Sequence, residues 1–195
     1  MLGYPYRKNV CHDASQDMEQ DISKNQFIQL YTNESDAIYR FCLLRTSDKD
    51  VAVDLMQDTF MRFWNVLSQG EKKVENKRAF LFTVARNSII DWYRKKKTLS
   101  LDALAEGSET DAETFMPVGQ KKEDIEMTHE AKFLLERIRE LDPLYQQVVY
   151  LRFVEGLGPK DIAEIIGESA NVVSVRINRG LQQLRKVAGY DEEQP

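Results

Sequence analysis

The stretch LGPKDIAEIIGESANVVSVRINRGLQQLRK, Leu157 to Lys186, reads as a helix, a turn and a second helix. Gly158 can cap the first helix, Pro159 has the fixed dihedral suited to a first turn, and Asp161 sets a carboxylate at the positive end of the dipole. Gly167 stops it. Ser169 is the natural N-cap of the second helix, in which Val173, Ile177, Leu184 and Val187 recur at the spacing of one buried stripe. Asn171, Ser174, Val175, Asn178, Arg179, Gln182 and Lys186 are left facing outward, with the polar and basic composition of a surface that enters a DNA groove. Gly180 falls on the inner side, where its cost in helix propensity, about 0.5–1 kcal/mol, implies close approach to a neighbouring helix.

Upstream of this stretch the spacing stays helical. Ile125 to Glu140 carries Ala131, Leu134, Leu135 and Ile138, and Asp142-Pro143 opens another helix that ends near Gly156. Residues 125–189 thus form one helical unit, and Asp191, Glu192 and Glu193 mark an acidic tail over 190–195. Farther back, Phe27, Leu30, Tyr31, Ile38, Phe41 and Cys42 follow a helical period. A second helix opening near Ser47 or Asp48 carries Val53, Met56, Phe60, Phe63, Trp64 and Leu67, and the two are expected to pack antiparallel. After a polar stretch, Ser68 to Lys77, a third helix runs from Ala79 to Lys97. Leu81, Phe82, Ala85, Ile89, Trp92 and Tyr93 share one of its faces. Trp92 and Tyr93 are therefore expected in the core.

These periods define an all-α chain of two small helical domains, 25–97 and 125–189. A polar, acidic, flexible linker over 98–124 joins them, and a loose tail over 1–24 precedes them. At 195 residues with 42% hydrophobic content, the chain can bury two small cores, which excludes disorder throughout. No apolar run is long enough to cross a bilayer and the amino terminus lacks a secretory layout, so a cytoplasmic protein without membrane insertion is expected. Cys11 and Cys42 fit no metal-ligand spacing and are expected as reduced thiols. No metal, cofactor or catalytic residue is expected.

A net charge of −5 runs against phosphate binding, but the distribution matters more than the sum. Arg86, Arg94, Lys95, Lys96 and Lys97 form one basic concentration and Arg176, Arg179, Arg185 and Lys186 another, while acids crowd the connector from Asp102 to Asp124.

With both halves laid out, the chain resembles the extracytoplasmic-function (ECF) sigma factors, the two-domain initiation subunits of bacterial RNA polymerase. Three blocks carry the resemblance: Asp54-Leu-Met-Gln-Asp-Thr-Phe-Met-Arg-Phe-Trp64; Phe80-Leu-Phe-Thr-Val-Ala-Arg-Asn-Ser-Ile-Ile-Asp91 with Arg94 to Lys97; and Leu141 to Lys186. Gly158, Ser174 and Val175 depart from the residues frequent at those positions, which bears on the promoter sequence read.

The resemblance implies that the first block docks on core polymerase through Asp54, Gln57, Asp58 and Arg62, with Phe60 and Trp64 partly buried behind them. It also implies that the second block melts the downstream (−10) promoter element. There, the loop Ser68 to Lys77 would make a pocket for an extruded base, Asn87 and Asp91 would read bases at the fork, and Arg86, Arg94, Lys95, Lys96 and Lys97 would hold phosphates. In the third block Ser174, Val175, Asn178 and Arg179 would approach base edges of the upstream (−35) element, and Val175 would meet a thymine methyl. Arg176 suits a phosphate or a salt bridge within the domain, Asn171 lies on the outer face, and Lys160 suits a backbone phosphate. The implied partners are core polymerase, promoter DNA and an anti-sigma factor. Two other readings stay open on the residues alone: a free-standing helix-turn-helix transcriptional regulator, and a hydrolytic site built on Asp54 and Asp58, although no nucleophile, metal ligand or phosphate loop accompanies that pair.

Overall fold

A computed structural model describes residues 14–68, 74–99 and 128–189. Seven helices account for most of them: α1 (Ala14–Thr46), α2 (Lys49–Ser68), α3 (Lys77–Leu99), α4 (His129–Arg139), α5 (Pro143–Phe153), α6 (Pro159–Ile166) and α7 (Ala170–Val187). No strand occurs among the described residues.

Local chemistry sets the boundaries. Ser47 adopts a positive φ of 52° after α1, and Asp48 then caps α2 by accepting from the backbone N–H groups of Asp50 and Val51 at 3.0 and 3.1 Å. Asn76 caps α3 through Ala79 N–H, and Asp142 caps α5 through Leu144 N–H with Pro143 at the first position. In α6 the Asp161 carboxylate reaches back to Gly158 N–H at 3.1 Å, and Gly167, at φ 73°, ends the helix in the left-handed region as expected. Ser169 Oγ accepts from Val172 N–H at the start of α7.

One boundary differs from the sequence reading. The tail over 1–24 was expected to be loose, yet α1 already runs from Ala14. Gln, Glu, Met and Asp between 16 and 21 carry no apolar period, but most of them are adequate helix formers, so propensity extends a helix that periodicity does not reveal. Thr98 and Leu99, assigned to the linker, are the last residues of α3. The remainder of the linker to residue 127, the loop at 69–73 and the acidic tail lie outside the described residues.

The α1–α3 unit is held by aromatic packing. Phe27 meets Phe60, Phe63 and Trp64 at ring separations of 6.1, 6.4 and 5.3 Å, which fixes α1 and α2 as an antiparallel pair. Phe41 packs edge-on against Phe82 of α3 at 5.2 Å. In the second unit α7 lies across α5, with Val173 and Ile177 buried. The units also touch: α3 packs against α6, and Phe41 of α1 meets Tyr150 of α5 at 6.1 Å. Buried side chains from both sides join in one apolar cluster.

Candidate nucleic-acid interface

The second helix of the helix-turn-helix presents two clean sides. Its inner side is so close to α5 that a Cβ at Gly180 would lie 2.5 Å from Val149 Cγ2 and 3.0 Å from Tyr145 Cβ, the close approach expected of that glycine. Its outer side exposes Asn171, Val175, Asn178, Arg179 and Gln182. Val175 is 49% exposed, an apolar side chain in the middle of a polar face. Ser174 is half-buried and its hydroxyl donates to Ala170 C=O at 2.8 Å. Arg176 does not join the outer set, since its guanidinium pairs with Glu168 at 2.9 Å and ties α7 to the turn before it. Lys160 is exposed at the start of α6.

On α3, Asn87, Asp91, Arg94, Lys95 and Lys96 are exposed, and the side chain of Lys97 lies outside the described set. Asp91 and Arg94 form a 3.8 Å ion pair one turn apart, and Lys96 Nζ stands 4.8 Å from the centre of the Trp92 ring. Arg86 is half-buried, and that burial lowers its pKa below the usual guanidinium range. The core expectation for Trp92 and Tyr93 needs correction. Trp92 is half-buried and Tyr93 37% exposed, because the Tyr93 hydroxyl turns to donate to the Arg45 carbonyl at the end of α1 rather than entering the apolar interior.

The four residues of α2 divide between two sides. Asp54 and Gln57 are exposed. Gln57 borders an apolar groove between α1 and α2 formed by Phe27, Ile28, Tyr31, Phe60, Met61 and Trp64. Asp58 instead turns toward α3, where it accepts from Ser88 Oγ at 3.1 Å and pairs with Arg62 at 2.9 Å. Arg62 joins Arg86, Asn87, Asp91 and Arg94 on the wall of a polar cleft whose other wall is Pro143, Leu144, Glu168 and Arg176. Phe60 is buried, whereas Trp64 stays 36% exposed at the groove's edge. Met61, 66% exposed, and Ile28, 51% exposed, are groove residues that sequence reasoning passed over. The signal for Met61 was its place one turn after Gln57, off the apolar stripe of α2.

Two family profiles match the chain: Sigma-70 region 2 over residues 30–98 and Sigma-70 region 4 over 134–184. The ECF RNA polymerase sigma factor SigM of Bacillus subtilis is 34% identical over 166 residues, covering 83% of this chain and 92% of that protein. The chain belongs to the ECF sigma factors. The RNA polymerase sigma factor YlaC of Bacillus subtilis is 27% identical over 80% of this chain and 88% of its own length. Among solved structures, the sigma factor RpoE in complex with the anti-sigma factor NepR from Bartonella quintana shares the fold, with a TM-score of 0.63 and 22% identity over 86% of this chain and 99% of that one.

Sigma factors bind RNA polymerase core and promoter DNA, and the two matched regions coincide with the α1–α3 and α4–α7 units of this one. Membership settles the choice between the sigma reading and the free-standing regulator. Among the described residues of this ECF sigma factor, no group of His, Cys, Asp and Glu is placed to hold a metal ion, and no helix is long and apolar enough to cross a membrane.

Proposed function

We propose that this sigma factor docks on core polymerase along the edge of α2 that carries Asp54 and Gln57 beside the apolar groove, with Asp58 and Arg62 holding that edge to α3. The outer face of α7 then reads the −35 element through Ser174, Val175, Asn178 and Arg179, with Lys160 and Asn171 near the backbone. Asn87 and Asp91 read bases at the melted −10 element while Arg86, Arg94, Lys95, Lys96 and Lys97 hold its phosphates. The factor acts in the cytoplasm and carries no catalytic chemistry of its own. Melting rests on holding unpaired bases more tightly than the duplex, which recovers the few kcal/mol that extruding a base costs.

The observation that carries the reading is the exposed Val175 among exposed hydrogen-bonding side chains, on a helix whose opposite side is pressed to contact distance on α5. A thymine methyl flanked by base edges fits that mixture. An anti-sigma factor is a further partner, one that silences the protein by covering either the polymerase edge or a promoter face.

Immobilised core polymerase tests the first step. It is expected to retain the chain, and Gln57→Ala combined with Asp54→Ala is expected to weaken that retention. Undiminished retention of the double variant would remove the α2 edge from the contact.

A further inference from the structure

Gln147 of α5 is a buried polar group that promoter reading does not use. The residue is only 6% exposed, and its Nε2 has no hydrogen-bond partner among the described residues. Its neighbour Gln146 shows the usual arrangement, since Nε2 there donates to the Arg139 and Leu141 carbonyls at 3.1 and 2.9 Å. A buried amide without an acceptor is unfavourable and calls for a reason. Gln147 also lines the polar cleft between α3 and the α4–α7 unit, and an acceptor entering that cleft supplies one.

The cleft has the size and charge of a site for a small anion. Its volume of about 710 Å³ falls within the range of small-molecule sites, about 300–1,000 Å³. Arg62, Arg86, Arg94 and Arg176 line it, with Asp91 and Glu168. Asp91 pairs with Arg94 at 3.8 Å, Glu168 with Arg176 at 2.9 Å, and Asp58 with Arg62 at 2.9 Å. Asp58 meets only Nε of Arg62, and Glu168 only Nη2 of Arg176, whereas a guanidinium presents several N–H donors in a planar fork. Four guanidinium groups against three carboxylates leave a surplus of one positive charge. That surplus suits a single phosphate better than a polyphosphate. A phosphate monoester carries about −1.5 to −2 charges near pH 7, and arginine forks match its oxygens.

The rest of the lining suits a planar body attached to that phosphate. Ile90, Val148 and Ile166 give the cleft apolar surface. Asn87, exposed in the same cleft, adds an amide that can meet a base edge through one donor and one acceptor. A bare phosphate ion uses neither feature.

We infer that this cleft is a binding site for a nucleoside monophosphate, with its phosphate on the guanidinium groups of Arg62, Arg86 and Arg176. Its base lies against Ile90, Val148 and Ile166 and accepts from Gln147 Nε2. The site stands on the geometry of the cleft and is independent of which residues read the promoter.

Magnetic resonance of the isotope-labelled full chain tests the site directly, because the side-chain amide of Gln147 gives its own signal. Titration with the common ribonucleoside monophosphates is expected to shift that signal and to saturate with a Kd below about 1 mM for at least one of them. The matching nucleoside and inorganic phosphate are each expected to bind at least roughly tenfold more weakly, since each lacks half of the contacts. Gln147→Leu, which keeps the buried volume nearly constant and removes the amide, is expected to weaken nucleotide binding roughly fivefold. Arg176→Gln, which also leaves Glu168 unpaired, is expected to weaken it at least roughly tenfold. Backbone signals report that each variant keeps the fold, and either variant alone decides if the other does not fold. No saturable shift with any nucleotide would overturn the site, as would undiminished affinity in the folded variants. Inorganic phosphate bound as tightly as the nucleotide would overturn the role of the base. A single-stranded trinucleotide bound more than roughly tenfold tighter than its monophosphate would overturn the free nucleotide as the ligand and assign the cleft to a nucleic-acid strand.

Discussion

Gly180 of α7 and Val149 of α5 approach so closely that a methyl group on the first would stand 2.5 Å from Cγ2 of the second. This contact sets how closely α7 packs on α5. Val149 is fully buried, so it has no space to yield. Gly180→Ala gains about 1 kcal/mol of helix propensity but meets an overpacking cost of typically 1–3 kcal/mol, and the fixed neighbour decides the sign. A net loss of about 1–2 kcal/mol is expected in urea unfolding. A variant as stable as the parent would show that α5 and α7 can part without cost.

Arg179 stands exposed on the opposite side of the same helix. Arg179→Ala is expected to weaken binding to the upstream element by about 1–3 kcal/mol while leaving retention by core polymerase intact. Unchanged promoter selection would refute the outward face assigned to α7.

Asn87 lies on the exposed side of α3, among the residues proposed to hold melted bases. Asn87→Ala is expected to leave closed promoter complexes in place and to reduce the permanganate-reactive thymines of open ones. Normal reactivity would remove Asn87 from the fork.

Cys42 is free and buried at the end of α1, and burial raises its thiol pKa from 9.0 to about 12, with Arg45 opposing in part. The folded chain therefore keeps a proton that the unfolded chain releases above pH 9, so this contribution to stability is complete below pH 9 and is lost as pH rises toward 12. Arg45 works in the other direction, since burial lowers its pKa to about 10, and it offsets part of that loss as the pH approaches 10 and more of it above. Between pH 9 and 10 stability is expected to fall by on the order of 1 kcal/mol. Cys42→Ala should flatten that slope, and alkylation of Cys42 should require unfolding. Rapid native-state alkylation would contradict the burial.

Much of the second unit was legible because its signals are local. Pro159, Gly167 and Ser169 mark helix ends by backbone chemistry alone, and Gly180 announced a close contact because a glycine inside a helix needs compensation. The apolar periods of α2 and α3 likewise placed Phe60, Phe63, Leu81 and Phe82 inside. The early start of α1 was hidden because helix propensity without an apolar stripe leaves no period to read. Tyr93 turned outward because its hydroxyl has a backbone partner on α1, a tertiary contact invisible to spacing. The same holds for Arg40, Arg45, Arg78 and Glu155, which meet between the two units. Nothing local distinguishes them from ordinary charged residues, and only the meeting of two units far apart in sequence assembles them. The sequence likewise suggested two basic surfaces kept apart by an acidic connector, whereas Arg94 and Arg176 line the same cleft.

Transcription by purified core polymerase on fragmented genomic DNA, with and without this chain, is the most direct test of a promoter-specific initiation factor acting through α3 and α7. Adding the chain is expected to create start sites that core polymerase alone does not use, preceded by a shared upstream element and lost with Arg179→Ala. Identical transcripts with and without the chain would contradict it.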